Sequence, residues 1–359
     1  MHKRDTRLDI LRVFACLSVV LIHTYEPLYN NDHLSFPMLF LYAIVGGANT
    51  LFFFITGCFW YKDYLESKRF IDVVKKFFIS IFLPTFIFSV LFAILDPIIF
   101  GYEGRILKLF NPLDFKMIIV GLLTHNFNAI SGASLPYWYT FEFLGLLLFY
   151  PIIAYLVHKK QNKILIFIVV VSFIQTFIKD ICVFPIFTNI LSKLTFPFVP
   201  NSLAFTILGH LFYNHKDLIF EKTNKYLCLL LVPISIILQV ILEIFILRID
   251  RSVVRFFYWD GFLAYIFVIG MFYLVYSFKD NTLEKINPII RFISKRTFYI
   301  YLLHFAVYTF LLSSTSVITS IKSINIPIIV SLLNGLIVFV ISLILSNIPL
   351  FIKNIIHPN

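Results

Sequence analysis

Residues 8–28 read LDILRVFACLSVVLIHTYEPL. This stretch is long enough to cross a bilayer as a helix, since a span needs about 20 mostly apolar residues. The rest of the chain has the same character: of its 359 residues, 60% are hydrophobic and only 14% are charged, and the mean hydropathy is +0.90. A soluble fold of this size could not bury so much apolar surface, so the composition excludes a cytosolic enzyme, a disordered chain and a fibre.

Nine further apolar stretches follow the first one. The ten predicted spans are 8–28, 37–61, 74–100, 137–157, 163–180, 195–214, 226–247, 258–278, 292–312 and 326–352. The sequence therefore predicts an all-α fold, a polytopic integral membrane protein with a bundle of about ten transmembrane helices. We expect one membrane domain over residues 1–359, without a separate soluble domain.

The positive charges give these helices an orientation. If the N-terminus is cytoplasmic, the segments between spans hold 20 Lys and Arg residues on the inner side and nine on the outer side. Because basic residues accumulate in cytoplasmic loops, both termini are predicted to be cytoplasmic. The cluster of Arg248, Arg251 and Arg255 runs against this rule, either as a local exception or because it holds an anion on the outer face.

The net charge of +11 would point to nucleic acid in a soluble protein. Here the basic residues lie between apolar runs, so anionic lipids or a cytoplasmic anionic ligand are better partners, and no nucleic acid is expected. The four cysteines, Cys16, Cys58, Cys182 and Cys228, form no disulfide framework and no metal-type spacing. No metal site is predicted.

The first span carries four ionisable side chains, Asp9, Arg12, His23 and Glu26. Such residues are costly within a membrane and indicate function by default. Arg12 and His23 lie eleven residues apart, which places them on one helix face about 16 Å apart along the axis. With the N-terminus inside, this face presents a cation at the cytoplasmic end and a titratable base deeper in the membrane.

Five segments of the chain resemble the acyltransferase-3 family of integral-membrane enzymes. They are RLDILRVFACLSVVLIHTYEP (7–27), ANTLFFFITGCFWYK (48–62), YWYTFEFLGLLLFYP (137–151), TILGHLFY (206–213) and ISKRTFYIYLLHFAVY (293–308). Arg12 and His23 fit the family's mark, an Arg and a His with ten residues between them. In two places the chain departs from the family pattern. Lys75 and Lys76 stand where many members carry Arg-x-x-Arg, and Pro136 and Tyr137 stand where a His often precedes the Trp.

The resemblance implies an enzyme that moves an acyl group from cytosolic acyl-CoA to a hydroxyl of a surface polysaccharide, glycolipid or cell-wall sugar. Acetyl-CoA is the expected co-substrate, with no permanently bound cofactor, and the bacterial inner or plasma membrane is the expected location. The predicted site residues are His23 and Glu26 for catalysis; Arg12, Asp9, Lys75, Lys76 and Arg296 for the donor; and Trp138, Tyr139, Glu142, Tyr301 and His304 for the acceptor or pocket.

The residues also allow other interpretations. His23 and His304 could each make only a helix–helix hydrogen bond, and Arg12 could form an ion pair with Asp9. Glu26 could polarise His23 or lie solvated among headgroups, and Glu142, buried by its position, would need a cation or a hydroxyl partner. At the level of the whole protein, a transporter or flippase and a structural partner in envelope synthesis are the alternatives to an enzyme.

Overall fold

The computed structural model describes residues 5–29, 36–61, 67–100, 137–181, 200–249, 261–278, 280–314 and 326–350. Every regular element in these ranges is a helix, so the all-α prediction is confirmed there. The helices are α1 Thr6–Tyr29, α2 Phe36–Val45, α3 Ala48–Trp60, α4 Ser67–Phe77, α5 Leu83–Phe100, α6 Trp138–His158, α7 Asn162–Ile181, α8 Asn201–Asn214, α9 Lys216–Lys222, α10 Lys225–Leu229, α11 Leu231–Ile249, α12 Phe262–Tyr276, α13 Asp280–Ser294, α14 Thr297–Ser314 and α15 Pro327–Leu345. A π-helical segment, Phe78–Phe82, joins α4 to α5.

Six helical stretches of the described chain are long and apolar enough to cross a membrane. They are Phe36–Trp60, Phe70–Phe92, Trp138–His158, Asn162–Asp180, Tyr226–Phe245 and Ile328–Leu350, and the shorter apolar helices Phe262–Tyr276 and Thr297–Leu311 accompany them. The chain is therefore a multi-span membrane protein. The count of ten spans and the cytoplasmic termini stay predictions.

The predicted span 37–61 is interrupted. Gly46 and Gly47 form a turn between α2 and α3, so this segment is two helices rather than one. A Cβ added at Gly47 would overlap the ring of Phe267, so the glycine lets that ring pack closely against the turn.

The fold comprises two units. The first consists of Met1–Val19, His33–Leu65 and Phe149–Ser294, and the second of Val20–Asp32, Glu66–Leu148 and Lys295–Asn359. The prediction of a single membrane domain is not tested by this division.

Within the described residues of the first unit, α3 and α8 approach each other closely. A Cβ at Gly57 would overlap the carbonyl oxygen of Thr206, and a Cβ at Gly209 would overlap that of Phe54. Small residues at such crossings let two backbones approach, which is how helices associate in lipid. The Tyr61 hydroxyl then shares a hydrogen bond with Thr206 Oγ1 at 3.0 Å across the same pair of helices.

The N-terminal end of α1 is fastened to α12 and α13 of the first unit. The Tyr276 hydroxyl donates to Asp5 Oδ2 at 2.6 Å, and the Arg7 guanidinium lies over the Tyr276 ring at 5.4 Å. Thr6 Oγ1 donates to Asn287 Oδ1 at 3.0 Å. These contacts fix the helix end that carries Asp9 and Arg12.

In the second unit, α14 packs against α15 and α5. The latter part of α1 meets both α14 and α15 at Thr24. The Tyr308 hydroxyl donates to the Thr24 carbonyl at 3.4 Å, and a Cβ at Gly335 would lie 3.2 Å from Thr24 Oγ1. His23 therefore lies where these helices converge.

Candidate active site

In the first unit, the polar groups near the start of α1 form a three-membered cluster. Arg12 Nη1 lies 3.0 Å from Asp9 Oδ1, and the same Nη1 donates to Ser294 Oγ at 3.3 Å. Ser294 in turn donates to Asp9 Oδ1 at 2.6 Å. The ion pair between Arg12 and Asp9 is thus present, and Ser294, at the end of α13, completes it.

The electrostatics of this cluster leave Arg12 accessible. Asp9 is only 1% exposed, whereas the Arg12 side chain is 27% exposed. A buried carboxylate needs a cation and hydrogen-bond donors, and Arg12 and Ser294 supply them. The arrangement orients one edge of the guanidinium through Asp9 and Ser294, while the exposed part of the side chain can be reached by an anionic ligand.

In the second unit, two histidines from distant parts of the sequence lie together. The His23 ring on α1 is 5.2 Å from the His304 ring on α14, centroid to centroid. Phe305 closes one side, with its ring 5.4 Å from His23. The helix faces that converge at Thr24 bring the two imidazoles into contact.

The hydrogen bond made by His304 determines which of its nitrogens carries hydrogen. Its Nδ1 lies 2.6 Å from the Tyr301 carbonyl oxygen, which can only accept, so Nδ1–H is the donor. In the neutral ring the lone pair then belongs to Nε2. This atom is buried, the residue is 0% exposed, and Nε2 has no hydrogen-bond partner. His304 therefore presents a proton-accepting atom inside the unit, next to His23.

Most of the predicted acceptor residues extend this pair as a chain of rings. The ring centroid of Tyr301 lies 5.9 Å from that of His304 and 5.9 Å from that of Tyr139. The centroids of Trp138 and Tyr139 are 6.2 Å apart. The Tyr137 hydroxyl donates to the Leu302 carbonyl at 2.6 Å and fixes the start of α6 against α14. The structure thus assembles His23, His304, Tyr301, Tyr139 and Trp138 in one place.

Glu142 was predicted to be buried, and this is wrong. It lies one turn after Trp138 on α6, but its side chain is partly exposed. Position within an apolar span did not settle its environment, because α6 also carries fully exposed residues such as Leu148.

The other predicted donor residues lie at helix ends. Lys75 and Lys76 are exposed in the last turn of α4. Arg296, between α13 and α14, donates through Nε and Nη2 to Asn347 Oδ1 at 3.0 and 2.8 Å. Glu26 lies in α1, and its side chain is outside the described part of the structure.

Three polar groups in the described helices were given no role from the sequence. Ser294 completes the Arg12 cluster. On α15, the buried oxygens Ser331 Oγ and Asn334 Oδ1 have no hydrogen-bond partner, and Asn334 precedes the Gly335 contact with α1. In the sequence, the two α15 residues are recognisable only as polar residues within an otherwise apolar span. Among the described residues, no three His, Cys, Asp or Glu side chains group closely enough to hold a metal ion.

Comparison with known proteins identifies the family of the chain. Neither the curated proteins nor the solved structures include a significant match. The family model described as the acyltransferase domain matches residues 5–348, which includes both the Arg12 cluster and the histidine pair. This match covers nearly the whole chain, and the chain therefore belongs to the acyltransferase-3 family.

Proposed function

We propose that this acyltransferase moves an acetyl group from cytosolic acetyl-CoA to a hydroxyl of a surface polysaccharide, glycolipid or cell-wall sugar, in the bacterial cell membrane. The observation that carries the proposal is the contact between His23 and His304, in which His304 Nε2 is buried and accepts no hydrogen bond. O-acyl transfer needs a base for the hydroxyl proton, and an imidazole supplies one near neutral pH.

His23 is the base in this proposal, and His304 positions it. The two rings are in contact, with centroids 5.2 Å apart and planes inclined by 43°. From this contact, rotation of the His23 ring can bring one of its N–H groups within hydrogen-bond distance of His304 Nε2. When His23 takes a proton, its N–H can donate to the neutral Nε2 of His304, which stabilises the imidazolium as a triad carboxylate does.

The transfer step conserves every atom and proton. His23 removes the proton from the acceptor hydroxyl while the oxygen attacks the thioester carbonyl. The new C–O bond forms, the C–S bond breaks, and the CoA sulfur takes the proton back from His23. The products are an acetyl ester and free CoA, and the two histidines return to their starting state.

Arg12 and His23 suit the two ends of such a donor. Both lie on α1, about 16 Å apart along its axis, which is comparable to the length of a pantetheine arm. Arg12 would hold the phosphorylated end, and the thioester would reach His23. For the acceptor, Asn334 Oδ1 and Ser331 Oγ are buried groups that can bond further hydroxyls of a sugar.

The test is turnover of acetyl-CoA by the purified full-length protein in nanodiscs. Release of free CoA thiol is measured with and without membrane glycolipids, and mass spectrometry compares surface glycans of cells with and without the protein. We expect thiol release and acetyl esters that depend on the protein. Absence of both, together with glycolipid flux in liposomes, would identify a flippase and reject the proposal.

A further inference from the structure

One face of α13 lies along the beginning of α1, within the first unit. Asn287, Arg291 and Ser294 are spaced by four and three residues, so they share a helix face. Asn287 accepts a hydrogen bond from Thr6. Ser294 donates a hydrogen bond to Asp9 and accepts one from Arg12. Both ends of this stretch of α13 are therefore bonded to the beginning of α1, and Arg291 lies on the same face of α13 between these two hydrogen-bonded points.

Among the residues that the structure describes, none accepts a hydrogen bond from Arg291 Nε. This nitrogen is buried, and the described chain offers Arg291 no ion pair. A buried donor without an acceptor costs roughly 1–3 kcal/mol, and more when it is charged. Of the carboxylates on this face, Asp9 already receives Arg12 and Ser294.

The charge on the shared face is unbalanced. Within the segments 6–12 and 287–294, this face carries two guanidinium groups, of Arg12 and Arg291, and one carboxylate, of Asp9; Glu284 lies one turn before Asn287. An anion bound here would give Arg291 its missing acceptor and neutralise the excess charge. Guanidinium groups bind phosphate oxygens in pairs, which makes two arginines on one face suited to an organic phosphate.

We propose that Arg291 and Arg12 together form a phosphate-binding site on the α1–α13 face, and that its ligand is the phosphorylated nucleotide end of the acyl donor. The identity of the ligand rests on the proposed function, whereas the phosphate site itself rests on the contacts above. An anionic lipid headgroup presents the same phosphate chemistry, so the experiment must separate the two sources.

The probe is adenosine 3′,5′-bisphosphate, which carries the nucleotide phosphate chemistry without the thioester. Binding to the full-length protein is measured by calorimetry in phosphatidylcholine nanodiscs, and again with phosphatidylglycerol added. The variants are Arg291→Gln, Arg291→Lys and the matched control Lys285→Gln, which removes an exposed positive charge from the same helix.

Arg291→Gln should weaken binding by about 10–100-fold, the range for a charge-assisted hydrogen bond. Arg291→Lys should weaken binding less than Arg291→Gln, because the positive charge remains. Binding should still be weaker than in the wild type, because lysine lacks the planar guanidinium that binds two phosphate oxygens. Lys285→Gln should change it by less than about twofold, as expected for an exposed charge. The thermal unfolding midpoint of each variant verifies folding, and Arg291→Lys serves if the Gln variant is unstable.

Wild-type affinity in both Arg291 variants would overturn the site. The site would also be overturned if the wild-type protein does not bind the bisphosphate while Arg291→Gln abolishes retention of phosphatidylglycerol. The ligand would then be a lipid. The outcomes also separate this inference from the proposed function. Arg291-dependent bisphosphate binding without acetyl transfer rejects the function alone, and transfer with an unchanged donor KM in Arg291→Gln rejects the site alone.

Discussion

Replacing His23 by Gln tests the assignment of the catalytic base. Glutamine is similar in length to histidine and keeps hydrogen-bonding capacity, but it cannot take up a proton. Loss of a general base typically lowers the rate by about 10²–10⁴-fold, which corresponds to about 2.7–5.4 kcal/mol of transition-state stabilisation. We expect kcat for acetyl transfer to fall within this range.

The structure separates this effect from damage to the fold. The His23 ring packs against the His304 and Phe305 rings, and the glutamine side chain can occupy the same space. The expected loss of stability is about 1 kcal/mol, ordinary for a single substitution. His210→Gln is the matched control, because His210 is also a buried histidine, 7% exposed on α8, and lies outside the proposed site. It should unfold at a similar temperature and keep its rate.

A second variant assigns the role of His304. Asparagine at this position places its amide nitrogen near the site of Nδ1 and can still donate to the Tyr301 carbonyl, but it has no atom in place of Nε2. If Nε2 positions His23, His304→Asn should lower kcat by about 10²-fold, the scale of a small misplacement. Near wild-type turnover in His23→Gln, with activity abolished in His304→Asn, would refute the reasoning and make His304 the base.

Asp9→Asn should weaken donor binding by about 10–100-fold, because it replaces the carboxylate that orients Arg12, and unchanged calorimetric affinity would contradict this. Gly57→Ala should lower the free energy of unfolding by about 1–3 kcal/mol, since its Cβ meets backbone across the α3–α8 crossing. Gly145→Ala, with open space around it, is the control in the same thermal unfolding assay. A cysteine at exposed Gln161 should react with an impermeant maleimide in inverted vesicles but not in intact cells, and labelling of intact cells would overturn the predicted topology.

Periodicity and composition predicted the helices and part of the site. Six candidate spans of the described chain match predicted ones, because apolar length identifies a transmembrane helix. The ion pair of Asp9 and Arg12 followed from a spacing of three residues within one helix, which the fold preserves. The predicted aromatic and histidine residues of α6 and α14 do lie together with His23.

Long-range partners could not be predicted in the same way. Ser294 reaches Asp9 across 285 residues of sequence, and nothing local in either segment specifies that pairing. The turn at Gly46 and Gly47 lies inside a continuous apolar run, where length gives no boundary signal. Asn334 and Ser331 carry no charge, so a search for ionisable residues in the spans passed over them.

A single helix carries both halves of the proposed chemistry, and this has a consequence for the donor. Because α1 is continuous from Thr6 to Tyr29, eleven residues set the axial separation of Arg12 and His23 at about 16 Å. The backbone hydrogen bonds of the helix fix this separation between the two backbone positions. A donor whose phosphates are bound by Arg12 must therefore carry its thioester on a long arm to reach His23. Acetyl phosphate, in which the acyl group adjoins the phosphate, cannot engage Arg12 and His23 at once.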